Sequence, residues 1–278
     1  MKKSQHYVWK YYLKQWTNQN KIWCKRNDKI FNTSLENIAH ENYFYVIQNI
    51  NEEELEIIFG LLNKIDDSAK PIMEANIEIL LNASKLKGKD RIDYLEGYHT
   101  YIENIGRPIL DSLYNENTEI LSKQRDRDLF SYYLGLQYTR TKKIRNSLTK
   151  SFESDLKETC NNKINIETIS HSIAFLSADF IRNWISSEGN FILLRNNTEI
   201  DFMTSDQPIY NHSIKFDNLG TSDQMELFYP ITPKLALLIS NKKIGNFNVS
   251  INLIKHYNNT IIREAEEFIF STNKLQLE

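Results

Sequence analysis

Cysteine is nearly absent from this chain of 278 residues: there are two, Cys24 and Cys160. They stand far apart and outside any Cys-x-x-Cys or Cys/His spacing. A disulfide scaffold and a cysteine zinc site are therefore excluded, and the reading is two reduced, inert thiols. Glycine (8) and proline (5) are also scarce. That argues against low-complexity disorder and against a glycine loop cradling phosphate, and neither G-x-x-x-x-G-K-[ST] nor G-x-G-x-x-G occurs. ATP- or dinucleotide-driven chemistry is accordingly disfavoured. H-E-x-x-H and G-x-S-x-G are missing too. No run approaches the ~18 apolar residues that span a bilayer. Met1-Lys2-Lys3 looks like the start of a signal peptide, but Lys10, Lys14 and Gln15 interrupt the apolar stretch that should follow. Charge of one sign is missing as well: 34 Lys and Arg against 36 Asp and Glu leave a net charge of -2. No global field draws the molecule to nucleic acid, so such binding has to use a local basic patch. The expectation is a soluble, cytoplasmic protein without a membrane segment.

What is present is an ordinary globular composition, 41% hydrophobic and 25% charged, in a chain long enough to bury a large core. The opening Gln5-His6-Tyr7-Val8-Trp9-Lys10-Tyr11-Tyr12-Leu13-Lys14-Gln15-Trp16 is dense in aromatic residues. Disordered tails are poor in such residues, so this segment is expected to pack into the fold.

Three blocks follow from the patterning. In residues 1 to 50, Lys21–Arg26 and Ile30-Phe31 read as strands around Asn27-Asp28-Lys29, and Asn32–Ile38 as a short capped turn. Asn42–Ile47 is aromatic and β-branched and reads as a strand. Residues 51 to 187 read as helical. Asn51 before Glu52-Glu53-Glu54 is a start signal, and Leu55, Ile58, Phe59 and Leu62 recur at helical spacing. Ile72–Leu86 repeats that pattern. Gly106-Arg107-Pro108 is expected to break the next helix. Asp126–Lys157 is the longest candidate, with a core stripe of Leu129, Tyr132, Tyr133, Leu136 and Tyr138, and Ile166–Ile185 is another. Residues 188 to 278 turn to strands. Phe191–Arg195 and Glu199–Thr204 read as a hairpin about Asn196-Asn197, and Leu227–Ile231 with Leu235–Ile239 as a second pair. A final helix is expected over 251 to 268. The architecture predicted is one α+β domain over 1 to 278, its N- and C-terminal strands forming a mainly antiparallel sheet and its helical section, about 51 to 187, inserted between them.

Three clusters can carry chemistry. The first is Gln5, His6 and Tyr7 with Lys10 and Lys14; histidine transfers protons near neutral pH or binds a metal, although a partly buried histidine bonded to backbone is the plainer reading. The second is Gln137, Arg140 and Thr141, which share one helical face and can present amide, guanidinium and hydroxyl groups to a phosphate or carboxylate. A solvated basic helix is its plain alternative. The third is Thr204-Ser205-Asp206-Gln207-Pro208 at a strand end. With Glu199 and Asp201 upstream it can hold a divalent cation such as Mg²⁺, or serve simply as a turn. The histidines at 40, 99, 171, 212 and 256 show no ligand spacing and receive no role.

These clusters together resemble a bacterial family catalogued as domain of unknown function 4238. Its opening His-Tyr-Val-Pro-x-x-Tyr-Leu-x-x-Phe pattern stands here as His6 to Trp16, with Trp9 in place of the proline and Trp16 in place of the final phenylalanine. Its Leu-x-x-Gln-x-x-Arg-Thr pattern matches Leu134, Gln137, Arg140 and Thr141, and its Thr-Ser-Asp-x-Pro pattern matches Thr204–Pro208. Pro230–Pro233 and the Asn259–Ala265 spacing continue the match in order. The resemblance implies that His6, Arg140 and Asp206 belong to one site, and it supplies no reaction.

On chemistry alone, a histidine for proton transfer, an arginine for developing phosphorane charge and an aspartate to orient the histidine or bind Mg²⁺ make a hydrolytic set. The expectation is thus a phosphodiester-acting hydrolase, a nuclease-like effector of bacterial defence or toxin type. His6, Arg140 and Asp206 are its catalytic residues, and Gln5, Tyr7, Lys10, Gln137, Thr141 and Ser205 bind substrate. Lys10, Lys14, Tyr11 and Trp16 suit a single strand, by charge and stacking. Two alternatives remain: a sensor binding a nucleotide or peptide, and a structural role in which the three motifs form a buried polar network.

Overall fold

The computed structural model describes residues 4–62, 70–156, 164–212 and 225–278. The N-terminal part carries strand β1 (Ser4–His6), helix α1 (Lys10–Leu13), strands β2 (Ile22–Arg26) and β3 (Lys29–Thr33), a 3-10 turn at Leu35–Asn37 and strand β4 (His40–Asn42). Six helices follow: α2 (Glu52–Leu62), α3 (Lys70–Lys85), α4 (Gly88–Tyr114), α5 (Gln124–Thr139), α6 (Lys142–Leu156) and α7 (Ile166–Ser187). The C-terminal part comprises β5 (Asn190–Arg195), β6 (Thr204–Ser205), β7 (Tyr210–Asn211), β8 (Glu226–Pro230), β9 (Leu235–Ser240), β10 (Phe247–Asn248), α8 (Ile251–Glu264) and β11 (Ile269–Ser271). This is the expected α+β plan, with a helical middle between terminal antiparallel sheets.

The largest sheet has the order β10-β5-β9-β8-β7 and is antiparallel except for the β10–β5 pair. Both of its faces are buried, which is why β9 reads Leu235-Ala236-Leu237-Leu238-Ile239 without polar alternation. Leu193, Leu227, Tyr229, Leu237 and Ile239 face the main core with the helices and the N-terminal aromatics. Ile192, Leu194, Phe228, Ala236 and Leu238 face a second core closed by Ile254, Tyr257 and Ile261 of α8. A second sheet, β3-β2-β11-β6, joins the two termini.

Local chemistry sets the helix ends. Asn51 Oδ1 accepts from Glu54 N at 2.9 Å while Asn51 N donates to Glu54 Oε2 at 2.9 Å, a reciprocal cap that matches the expected start. Asn165 caps α7 in the same way, accepting from Thr168 N at 3.0 Å.

Five expectations are corrected. Pro108 lies inside α4 rather than ending it. Its missing amide exposes the Asn104 carbonyl, and because Asn104 and Pro108 are both exposed, water can satisfy that group. The long helix over 126 to 157 is two helices, parted at Arg140 and Thr141. The proposed strand at 42 to 47 stops at Asn42, because Tyr43 takes a left-handed φ of 60° and starts a turn. The hairpin of 191–195 with 199–204 does not form: β5 pairs with β9, and β6 with β11. The intervening amides go elsewhere, Phe202 N to Pro233 O and Met203 N to Asn258 Oδ1. The last helix also ends early, at Glu264. Cys24 is a buried free thiol, pushed up to about 12 by burial; Cys160 lies outside the described residues.

Candidate functional site

The β1–β4 ladder sets Gln5 opposite Glu41 and His6 opposite His40. Because side chains alternate along a strand, Ser4, His6 and His40 share the outward face and Gln5 the inward one. His6 Nε2 lies 3.1 Å from Leu35 O. A carbonyl only accepts, so this nitrogen carries the proton, and Nδ1 is the basic atom of the neutral ring. The His6 and His40 rings stand 5.3 Å apart, and His40 Nδ1 is 2.8 Å from Ser4 Oγ. Beside them Lys10 pairs loosely with Glu36 at 3.5 Å. His40 had no signal in the sequence, because a pairing across 34 residues leaves no local pattern.

On the inward face Gln5 is fully buried. It donates to Ile92 O at 2.8 Å and accepts from Tyr45 N at 2.8 Å. Tyr7 is also buried; burial first, then Asp206, Glu267 and Glu41, hold its hydroxyl far above the ordinary value. Tyr12 ties this opening segment to the third motif, its hydroxyl 2.6 Å from Thr204 Oγ1 and donating to Pro230 O at 2.8 Å. Trp16 is wholly buried and donates to Phe202 O, so it offers no stacking surface.

The second motif sits at the α5–α6 break. Arg140 is buried and donates through Nη2 to Glu103 Oε1 at 2.6 Å and to Gln137 Oε1 at 2.8 Å. Burial works against its charge, but Glu103, Tyr45 and Tyr133 outweigh that and hold the guanidinium above its ordinary value. Thr141 donates to Gln207 Oε1 in the third motif, and Gln207 Nε2 in turn donates to Ile209 O at 2.7 Å and Tyr138 O at 3.2 Å. Ser205 Oγ accepts from Gln207 N and donates to Gln207 O, which locks the turn.

Asp206, 1% exposed, accepts from Glu266 N at 2.9 Å and Glu267 N at 2.8 Å. Above it, Lys142 bridges Glu41 at 3.0 Å and Glu267 at 2.6 Å, and Arg145 holds Glu41 at 3.0 Å. The motif segments therefore meet, through Tyr12–Thr204 and Thr141–Gln207. The three key side chains do not share one cleft: Arg140 and Asp206 point into separate buried networks with no bond between them, and His6 lies on the outer ladder face. Of the expected substrate-binding set, Gln5, Tyr7, Gln137, Thr141 and Ser205 are buried, and Lys10 is partly exposed.

For a cation, both oxygens of Asp206 already accept amides, and Asp201 is held by Lys234 at 2.7 Å and Thr272 at 2.6 Å. Among the described residues no group of three or more His, Cys, Asp or Glu side chains stands ready to hold a metal ion. Nor is any helix among them long and apolar enough to cross a membrane.

The fold and the junction of its three motifs define an α+β protein in which the N-terminal segment is bolted onto the C-terminal sheet beside a helix break. The chain belongs to the family described as protein of unknown function, DUF4238, whose model matches residues 4–275. No curated protein and no solved structure matches the chain.

Proposed function

We propose that this protein is a phosphodiester-cleaving, nuclease-like effector of the cytoplasm, acting on single-stranded RNA. The observation that carries the reading is the His6–His40 pair, two imidazoles 5.3 Å apart on the outward face of a two-stranded ladder. Two such groups serve both ends of one reaction. The neutral ring takes the proton of the ribose 2′-hydroxyl as its oxygen bonds to phosphorus. The protonated ring gives its proton to the 5′-oxygen as that P–O bond breaks, leaving a cyclic phosphate. The substrate supplies its own nucleophile, so these protein groups suffice. Lys10, on the same side, attracts the phosphate chain. Arg140 and Asp206 are positioning residues here: they fix the α5–α6 break and the 265–268 turn that back the ladder.

The test is cleavage of labelled single-stranded RNA, single-stranded DNA and duplex DNA by wild type, His6→Ala and His40→Ala, with Mg²⁺ and with EDTA. Each variant is expected to lose about 10²–10⁴-fold in rate on RNA while folding normally by circular dichroism. Unchanged cleavage by either variant sinks the assignment. Binding of RNA or nucleotide with no turnover in wild type replaces it with the sensor reading.

A further inference from the structure

A small cavity lies on the other side of the α5–α6 break, beneath the turn at Phe44. Four nitrogenous side chains reach it from four helices: His99 of α4, Arg140 at the end of α5, Arg145 of α6 and His171 of α7. Phe44 and Phe175 close its apolar walls. It holds about 10 Å³, room for one atom-sized guest.

Two polar atoms of its lining residues are buried without a partner, Arg140 Nε and His99 Nδ1, and so is Nε2 of Gln137, whose Oε1 accepts from Arg140. These residues are 7%, 3% and 0% exposed. The first and third atoms can only donate, so what they lack is an acceptor. Leaving such donors dry costs about 1–3 kcal/mol each. Arg140 Nη2 is engaged on Glu103 and Gln137, and Arg145 Nη1 and Nη2 on Phe44 O and Glu41. Arg140 lines the cavity, and its Nε is buried there without an acceptor.

The sign of the guest follows from the walls. Burial, then Arg140 and His171, hold His99 well below its ordinary value; burial and Arg145 push His171 to about 3. Both rings are neutral at pH 7, and the arginine charges are felt inside the cavity.

We propose that the His99–Arg140–Arg145–His171 pocket is an anion site that takes one negatively charged acceptor atom, either a halide ion or a single oxygen of a phosphate or carboxylate group. This stands apart from the His6–His40 reading and does not depend on it.

The experiment uses the full chain. Thermal unfolding is followed against NaCl, NaBr, sodium phosphate and sodium acetate at matched ionic strength, in wild type, His99→Leu and Gln137→Leu. Crystals grown in bromide are examined for anomalous density. The expected result is a saturable rise in Tm with one of these anions, lost in both variants, and a bromide peak within hydrogen-bond distance of Arg140 Nε if the guest is a halide. A rise with phosphate or acetate alone assigns the oxyanion instead. An equal response to all four salts, or saturation that survives in both variants, overturns the proposal. Should the variants fail to fold, crystals from bromide and from phosphate decide: a neutral water at Arg140 Nε in both overturns it.

Discussion

The Oδ2 atom of Asp206 accepts a 2.8 Å hydrogen bond from the backbone amide of Glu267, 61 residues further along the chain. Oδ1 does the same for Glu266, and Asp206 N donates to Phe268 O at 3.0 Å. One aspartate thus sets the path of the chain as it leaves α8 and enters β11. An asparagine keeps one acceptor and turns an NH₂ group toward the other amide. Asp206→Asn is expected to cost about 2 kcal/mol, lowering Tm by about 4–8 °C. Differential scanning calorimetry checks this, and an unchanged Tm removes Asp206 from its role as a clamp.

Asp179 presents the opposite case, although burial lifts both carboxyls to about 6. Asp179 Oδ2 accepts from Asn76 Nδ2 at 2.5 Å, while Oδ1 is buried with no partner. The Asn76 amide and the Arg182 charge favour ionisation there, but burial outweighs them. The folded pKa exceeds the ordinary 3.8, so the folded state holds more protons than the unfolded one between those values. The stabilisation is complete below about pH 4 and is lost as pH rises through about 6. At about 1.4 kcal/mol per unit, the scale is about 2–3 kcal/mol. Asp179→Asn is expected to flatten the fall in urea-unfolding free energy between pH 4 and 7 and to equal or exceed wild type at pH 8. Asp206 shares the sign, so some slope persists. A steeper slope in the variant contradicts the argument.

The helices and the β8–β9 hairpin were legible in the sequence because each is specified locally, by periodicity, an Asn51 cap or a tight turn. Two of the misreadings share a cause: the deciding partner is remote. Asn196-Asn197 does turn the chain, but the segment after it finds Pro233 and Asn258 rather than β5. Arg140-Thr141 has no proline or glycine to mark a break, and the residues that engage it, Glu103 and Gln207, lie 37 and 66 positions away. The same holds for the candidate site. His6, Arg140 and Asp206 stand out as residue types, but which of them face solvent depends on a ladder whose other strand carries His40.

Gly135 and Gly97 separate packing from propensity. A Cβ on Gly135 would lie 2.4 Å from the Ala178 carbonyl oxygen, because α5 rests directly on α7 there. Gly97, inside α4, has nothing within 4 Å of that position. Both would gain about 1 kcal/mol of helix propensity as alanine. At Gly135 the backbone clash exceeds that gain, and Gly135→Ala is expected to lose about 1–3 kcal/mol net. Gly97→Ala is expected to gain about 0.5–1 kcal/mol. Chemical denaturation of the pair measures both, and a stable Gly135→Ala protein would show that α5 and α7 can part without cost.

Glu103 and Arg140 form a buried ion pair at 2.6 Å, with side chains 14% and 5% exposed. Removing one partner is costly because the other charge remains in a medium that solvates it poorly, so Glu103→Gln is expected to lose about 3–5 kcal/mol. Replacing both, as Glu103→Leu with Arg140→Met, removes both desolvation penalties and is expected to restore most of that loss. A double variant as unstable as the sum of the two singles would mean zero coupling energy, so that the two side chains do not act as a pair. The rescued protein also isolates chemistry from folding. It lacks the guanidinium but keeps the His6–His40 ladder, so RNA cleavage should fall only by what the lost positioning of the α5–α6 break costs, while the saturable anion response, which needs Arg140 Nε, should vanish. Loss of cleavage in a stably folded double variant would instead put Arg140 back among the reacting groups.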